Sequence, residues 1–328
     1  MSRPSNMDIK TRFLILSDTH GELIPNLQHI HADVAIHCGD LTEESKIEEF
    51  RTTLDQLRNV KAPLKLVIAG NHDFTADIPV FKKKATDNPS LQPELVEQHY
   101  GGFGEVHQLF ENAKADGIVF LDEGTHRFEL DNGAKLTVYA SPFTPSLSDW
   151  GFQYTPQEGH NFSIDKGVDV AITHGPPHGI MDVTDSRRRA GCPQLFGAIA
   201  QARPKMHCFG HIHEGWGAKL VTWRGQLSET PSHFTDINNN ESTVIEKLSN
   251  FNTTKFDTPE TAQEKIDKRT RLGHEGYIQS SHCAGDSHPL HTGSQTLFVN
   301  AAIQGATEDY PMHLPWLVDI ELPTTFER

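Results

Sequence analysis

Short aliphatic and β-branched runs at Arg12 to Leu16, Val34 to His37 and Leu64 to Ala69 are bounded by polar turns. That pattern predicts parallel strands covered on both faces. Between the second and third runs, Ile47, Phe50, Leu54 and Leu57 recur at helical spacing, so Glu43 to Arg58 is predicted as an amphipathic crossover helix. The result is βαβ alternation. Gly117 to Leu121, His126 to Leu130 and Lys135 to Ala140 predict three more strands, with Asp131-Asn132-Gly133 as a hairpin turn between the last two. Val168 to Thr173, Met206 to Phe209 and Lys219 to Trp223 continue the series, and Leu195, Phe196 and Ile199 mark a helix after Cys192.

The pattern breaks at about 225–293, where Ser, Thr, Asn, Asp, Glu and His crowd out aliphatic residues. This stretch reads as a polar, flexible, exposed insertion, with at most a transient helix from Glu260 to Arg271 that Thr258 and Pro259 would start as cap and first residue. Strand character returns at Thr296 to Ala302 and Trp316 to Leu322, so the chain is expected to finish the same sheets as one domain over 1–328.

Composition narrows the function. A formal net charge of −15 disfavours a nuclease or any broad grip on a nucleic-acid polymer, which relies on a basic surface. Small phosphorylated substrates stay open, because bound metal supplies local positive charge. The cysteines Cys38, Cys192, Cys208 and Cys283 are scattered without a CxxC pair and are expected to be reduced. Met1 to Lys10 contains no apolar signal-like segment and no run is long enough to span a bilayer, so a cytoplasmic protein with no membrane partner is expected.

Five short motifs carry the chemistry: Ser17-Asp18-Thr19-His20, Gly39-Asp40, Gly70-Asn71-His72-Asp73, Thr173-His174-Gly175-Pro176-Pro177 and Gly210-His211-Ile212-His213. Each follows a predicted buried strand, and each offers oxygen or nitrogen ligands suited to a pair of divalent metals. In extended backbone, residues two apart point the same way, so Asp18 with His20, and His211 with His213, are expected to address one locus. His29, His31, His107, His282, His288, His291 and His313 receive no role.

In this order the motifs resemble the calcineurin-like metallophosphoesterase superfamily. The resemblance implies a mixed α/β (α+β) four-layer fold, a central β-sandwich flanked by helices with the motifs on loops at strand C-terminal ends. It also implies the ligand allocation: Asp18, His20, Asp40 and His213 for one ion, and Asp40, Asn71, His174 and His211 for the other. Asp40 would bridge, at the metal separation of about 3.5 to 4 Å that lets a hydroxide sit between the ions and attack phosphorus. His72 is expected to stabilise charge or protonate the leaving group, with Asp73 as its orienting carboxylate. The ions are expected to be Mn²⁺, with Fe, Zn, Co and Ni also compatible with such ligands.

Further stretches look like the metallophosphoesterase-domain-containing subgroup: Thr173 to Pro177 followed by Asp182, Gly191-Cys192 before a helix, His213-Glu214-Gly215-Trp216-Gly217, and Ser141 to Pro145 followed by Trp150 and Phe152. Some vertebrate members replace the first histidine of the GHIH motif by glycine, whereas this chain keeps His211. The resemblance implies hydrolysis of a small phosphodiester, cyclic-nucleotide-like, or a phosphomonoester. Trp150, Phe152, His178, Arg187, Glu214 and Trp216 are the candidates for substrate contact, the aromatics by stacking a nucleobase and the arginine by holding a phosphate. The competing readings are a phosphoprotein phosphatase of the same superfamily and a noncatalytic nucleotide-binding or scaffold protein.

Overall fold

A computed structural model describes residues 8–87, 92–307 and 310–326, so the termini of the expected 1–328 unit lie outside the described residues. In chain order the strands are β1 (Ile9–Leu16), β2 (Val34–His37), β3 (Leu64–Val67), β4 (Ile118–Phe120), β5 (Gly124–Glu129), β6 (Lys135–Ser141), β7 (Thr144–Pro145), β8 (Gln153–Tyr154) and β9 (Val170–Thr173). They continue with β10 (Met206–Phe209), β11 (Gly217–Thr222), β12 (Thr243–Lys247), β13 (Ile278–Ser281), β14 (Gln295–Asn300), β15 (Gln304–Thr307), β16 (Tyr310–Met312) and β17 (Trp316–Leu322). The helices are α1 (Ile47–Asn59), α2 (Ile78–Asp87), α3 (Pro93–Tyr100), α4 (Glu105–Ala113), α5 (Pro193–Ala202) and α6 (Pro259–Glu275).

Two sheets form the centre, a six-stranded one in the order β13-β17-β1-β2-β3-β4 and a seven-stranded one in the order β12-β11-β14-β10-β9-β6-β5. Strand alternation builds the layers, because successive side chains face opposite sides. Phe13 and Ile15 of β1 point inward and share one core with Val138, Ile172, Cys208 and Val299 from the other sheet. Leu14 and Leu16 point outward and pack with Ile24, Leu27 and Ile30. The apolar stripe of α1, with Phe110 of α4, covers Val67 and Ala69 on the outside of the six-stranded sheet. Leu195, Phe196 and Ile199 of α5 cover Ala171, Phe209 and Phe298 on the outside of the other. The order is helix, sheet, sheet, helix, the four-layer architecture expected.

Helix ends follow local chemistry. Glu49 turns back to accept the Lys46 backbone N–H at 2.9 Å at the start of α1. Pro193 opens α5, where the Cys192 sulfur accepts the Leu195 N–H at 3.3 Å. All four cysteines are unpaired and buried. Among the described residues, no helix is long and apolar enough to cross a membrane.

The stretch 225–293 corrects the expectation of an exposed insertion. It supplies an edge strand to each sheet: β12 pairs antiparallel with β11, and β13 pairs parallel with β17 in the register Ile278 to Trp316. Phe251, Leu272 and Ile278 are buried in the core between the sheets, and Ile237 is buried under α5. Helix α6 is longer than the predicted one, and Thr258 caps it by accepting the Thr261 N–H at 3.3 Å. An edge strand and a one-sided helix need few apolar anchors, and here the anchors are spaced too widely for composition to reveal them.

Excision of 225–293 is therefore expected to give an insoluble or unfolded product, assayed by solubility and circular dichroism. Leu272→Ala, which empties a core position, should cost about 2–4 kcal/mol in chemical denaturation.

Candidate metal centre

The motif loops leave the C-terminal ends of β1, β2 and β3 in one sheet and of β9 and β10 in the other, so they converge on one edge of the sandwich. Ligand atoms of Asp18, His20 and His213 lie within 4.8 Å of one another, as do those of Asp40, His174 and His211. The groups are joined through Asp40, whose Oδ2 lies 3.2 Å from His174 Nε2 and 3.9 Å from His20 Nε2. Asn71 Oδ1 is 3.0 Å from His174 Nε2. His174 Nδ1 donates to the Cys38 carbonyl at 2.9 Å, which leaves Nε2 as the atom free to ligate.

Backbone N–H groups aim both carboxylates. His211 N donates to Asp18 at 3.0 Å, and His72 N donates to Asp40 Oδ1 at 2.8 Å. These contacts demand glycine beside them: a Cβ on Gly210 would stand 1.9 Å from Asp18 Oδ2, and one on Gly70 would stand 2.3 Å from Asp40 Oδ1. Asp18, His20, Asp40 and His211 all have left-handed backbone, with φ of 52°, 49°, 52° and 65°. Asp18 and His20 do share one group as expected, but the extended backbone expected to align them, and the pairing of His211 with His213, are corrected. Tight turns do the aiming, and His211 and His213 fall in different groups. Such non-glycine conformations are costly and persist where surrounding contacts over-determine them.

Burial pushes Asp40 up, but the His174 imidazole outweighs it and holds the carboxyl at about 2. Burial likewise opposes ionisation of Asp18, yet the hydrogen bond from His213 and the nearby histidines hold it well below the usual carboxylate range. Among the described residues, no lysine or arginine pairs with either aspartate. His20 Nε2 is buried without a hydrogen-bond partner. Two buried anions, an orphaned imidazole nitrogen and an O/N donor set fit divalent transition metals.

The chain belongs to the calcineurin-like phosphoesterase family. Residues 11–215 match that family, a span that includes every motif above. The chain is 33% identical over 219 residues to metallophosphoesterase domain-containing protein 1 of Homo sapiens, covering 63% of this chain and 62% of that protein, and matches the Mus musculus protein to the same extent. It is 31% identical over 220 residues to UPF0046 protein T07D4.2 of Caenorhabditis elegans, covering 63% of this chain and 52% of that one. The chain thus spans less than two thirds of the length of these relatives.

Within this calcineurin-like site, the Asp73 carboxylate is not the hydrogen-bond partner of the His72 ring among the described residues. Its carboxylate accepts the N–H groups of Leu41, Thr42 and Gly70 and the Thr42 hydroxyl, at 2.8 to 3.1 Å. Burial and the Asp40 charge push Asp73 up to about 7, but donors converge on it from all these groups, so the loops are built around its ionised form. Asp73 is a clasp between the Asp40 and Asn71 loops, which corrects its expected role. The partner of His72 is Glu43: His72 Nδ1 donates to the Glu43 carbonyl at 2.6 Å, and the Glu43 carboxylate lies 2.9 Å from His20 Nδ1. Sequence reasoning passed over Glu43, although its place three residues after Asp40 was the available signal. It also passed over Asn300, which donates to the Ile212 carbonyl at 2.9 Å and so holds the GHIH loop.

The candidate substrate residues separate. Trp150 stacks on His72, with ring centroids 4.3 Å apart. Phe152 packs against the helix-side core and Phe143. His178 faces the Gly191 carbonyl at 3.3 Å, Glu214 accepts the Asp185 N–H at 3.0 Å, and Arg187 is exposed in a turn with φ of 59°. Trp216 is withdrawn: it is 3% exposed, its indole N–H donates to the Leu314 carbonyl at 3.0 Å, and its ring packs on Trp316 and Phe251. Its size and apolar body made it a better core residue than a wall of the site. Asp182 clasps its own loop, accepting the Gly179 and Gly191 N–H groups at 2.9 and 3.3 Å.

Asp73→Ala should leave the Leu41, Thr42 and Gly70 donors buried and unpaired. The expected loss is about 1–3 kcal/mol of stability, read by denaturant titration, with metal uptake falling alongside it.

Proposed function

We propose that the protein is a dinuclear metal-dependent phosphoesterase acting on a small phosphodiester, cyclic-nucleotide-like, or on a phosphomonoester. The observation that carries this is the position of Asp40 Oδ2 between His174 of one ligand group and His20 of the other, the placement a bridging carboxylate needs. Asp18, His20, Asp40 and His213 would hold one ion, and Asp40, Asn71, His174 and His211 the other. When bound, the ions, Mn²⁺ or another of Fe, Zn, Co and Ni, supply Lewis-acid charge neutralisation and acidify water.

The chain's own residues do the rest. His72 keeps one proton at Nδ1 against the Glu43 carbonyl, which leaves Nε2 to carry a second proton toward the leaving oxygen as the P–O bond breaks. The Asp73 clasp keeps the Asp40 and Asn71 loops at fixed separation. Arg187, Glu214 and His178 stand on neighbouring loops as substrate contacts of the proposal. A cytoplasmic setting and a small-molecule rather than polymeric partner complete the reading, the latter supported by the chain's net charge of −15.

The deciding experiment is a turnover panel of metal-loaded protein on bis-p-nitrophenyl phosphate, p-nitrophenyl phosphate and 2′,3′- and 3′,5′-cyclic nucleotides. Hydrolysis of diesters is expected. A two-metal protein that hydrolyses none of them is a binder, and the noncatalytic reading replaces this one.

Asp40→Asn should empty both sites by metal analysis; retention of two ions with near-normal turnover would overturn the bridging assignment. His72→Asn should keep the metals and lower kcat by roughly 10²-fold or more. His211→Gly should instead lose activity that excess Mn²⁺ partly restores. Loss of a metal in His72→Asn would mean that His72 is a ligand rather than a catalyst.

A further inference from the structure

The indole of Trp150 is taken up by the protein itself. It lies on the His72 imidazole at a centroid distance of 4.3 Å and an interplanar angle of 27°. His72 is half-buried, and its ring Nδ1 donates to the Glu43 carbonyl at 2.6 Å. That bond selects the tautomer and pins one corner of the ring, but leaves the plane free to rock about the bond. The His20 ring meets His72 edge to face at 4.7 Å, and the indole closes another side. With Glu43, His20 and Trp150 in place, the imidazole has one orientation.

The loop that carries Trp150 is fastened to the loop that carries His72. Gly151 N donates to the Asn71 carbonyl at 3.0 Å, and Phe152 N donates to the Asp77 carboxylate at 2.9 Å. At Gly151 the two backbones come so close that a Cβ would stand 2.7 Å from the Phe74 Cα. Phe152 accepts a left-handed backbone with φ of 50° immediately afterwards. The indole is braced by Phe74, at 6.0 Å between centroids, and by Lys84, whose ammonium lies 5.8 Å from the ring and 3.0 Å from Asp149. A loop this closely tied to the Asn71–Asp77 segment, with a strained residue in its anchor, holds its aromatic residue in a set place.

We propose that Trp150 is a positioning residue for His72: its indole face sets the imidazole plane, and the 150–152 loop is docked on the 71–77 loop to hold it there. The proposal rests on the phosphoesterase reading for its effect on rate, and on geometry alone for the effect on the ring. It differs from a substrate-stacking role for Trp150, which also walls a cavity of about 690 Å³ with Phe74 and Tyr100. A stacking residue acts through KM and only on aromatic substrates. A positioning residue acts through kcat on all of them, because a misplaced catalytic group slows reaction after binding.

The test compares Trp150→Phe, which keeps an aromatic face, with Trp150→Leu, which keeps apolar bulk without one. Folding of both is checked by thermal unfolding. Steady-state kinetics are measured on adenosine 2′,3′-cyclic phosphate and on glycerol 1,2-cyclic phosphate, which has the same strained diester and no base. Trp150→Leu should lower kcat about tenfold or more on both substrates with KM within about twofold, and Trp150→Phe should recover most of the loss. The second readout is the His72 Nδ1–H resonance in zinc-loaded protein, expected to be sharp and slow to exchange in wild type and broadened in Trp150→Leu. A rise in KM confined to the adenosine substrate, or an unchanged kcat and resonance in Trp150→Leu, would overturn the proposal. Should wild type turn over neither substrate, the phosphoesterase reading fails by itself, and the resonance still decides whether Trp150 holds His72.

Discussion

Two ionised aspartates are buried where, among the described residues, no lysine or arginine pairs with them, and the structure is arranged around that constraint. Asp18 is wholly buried and Asp40 nearly so, each at the end of a parallel strand. An uncompensated buried charge is costly unless hydrogen bonds and a counter-charge offset it. The backbone N–H groups of His211 and His72 supply the first, each reaching across from another motif. Divalent ions are the counter-charge that the surrounding imidazoles are placed to share. The left-handed turns at Asp18, His20, Asp40 and His211 are strain that these contacts hold in place.

Neither sheet carries the centre alone. Asp18, Asp40 and Asn71 come from the six-stranded sheet, while His174, His211 and His213 come from the seven-stranded one. Their separation is set by the core packed between the sheets and by direct ties across the edge. His174 donates to the Cys38 carbonyl, His211 N donates to the Asp18 carboxylate at 3.0 Å, and Ile303 N donates to the Ser17 carbonyl at 2.8 Å. Phe251, Leu272 and Ile278 sit in that same core, so the polar stretch that contributes them belongs to the scaffold of the metal centre. A change of stability there and a change of metal affinity are expressions of one constraint.

The geometry of the centre is built by a second set of residues that touch the candidate ligands without standing among them. Asp73 joins the Asp40 and Asn71 loops, Glu43 reaches both His20 and His72, and Asn300 holds the carbonyl of Ile212 between the two motif histidines. Trp150 belongs with them by its contact with His72. These groups decide where a proton sits and which way a ring faces, which ligand identity alone leaves open.

The amino-acid sequence by itself determined where the central strands and the motif loops fall along the chain, because both are local. Aliphatic runs of strand length, the helical spacing from Ile47 to Leu57, and glycine next to Asp40, Asn71 and His211 are properties of neighbouring residues. It also determined the family, since ligand-type residues in that order are a one-dimensional signal. Only the tertiary structure decided what depends on contacts between distant segments. It turned Asp73 from a partner of His72 into a clasp, moved Trp216 into the core beside Trp316, and set Trp150 against His72. It also folded 225–293 into both sheet edges, although the stretch looks too polar to pack. The physical reason is the same throughout: burial and hydrogen-bond partners belong to the fold as a whole, and a single anchor such as Leu272 has no signature until the surface that covers it is known.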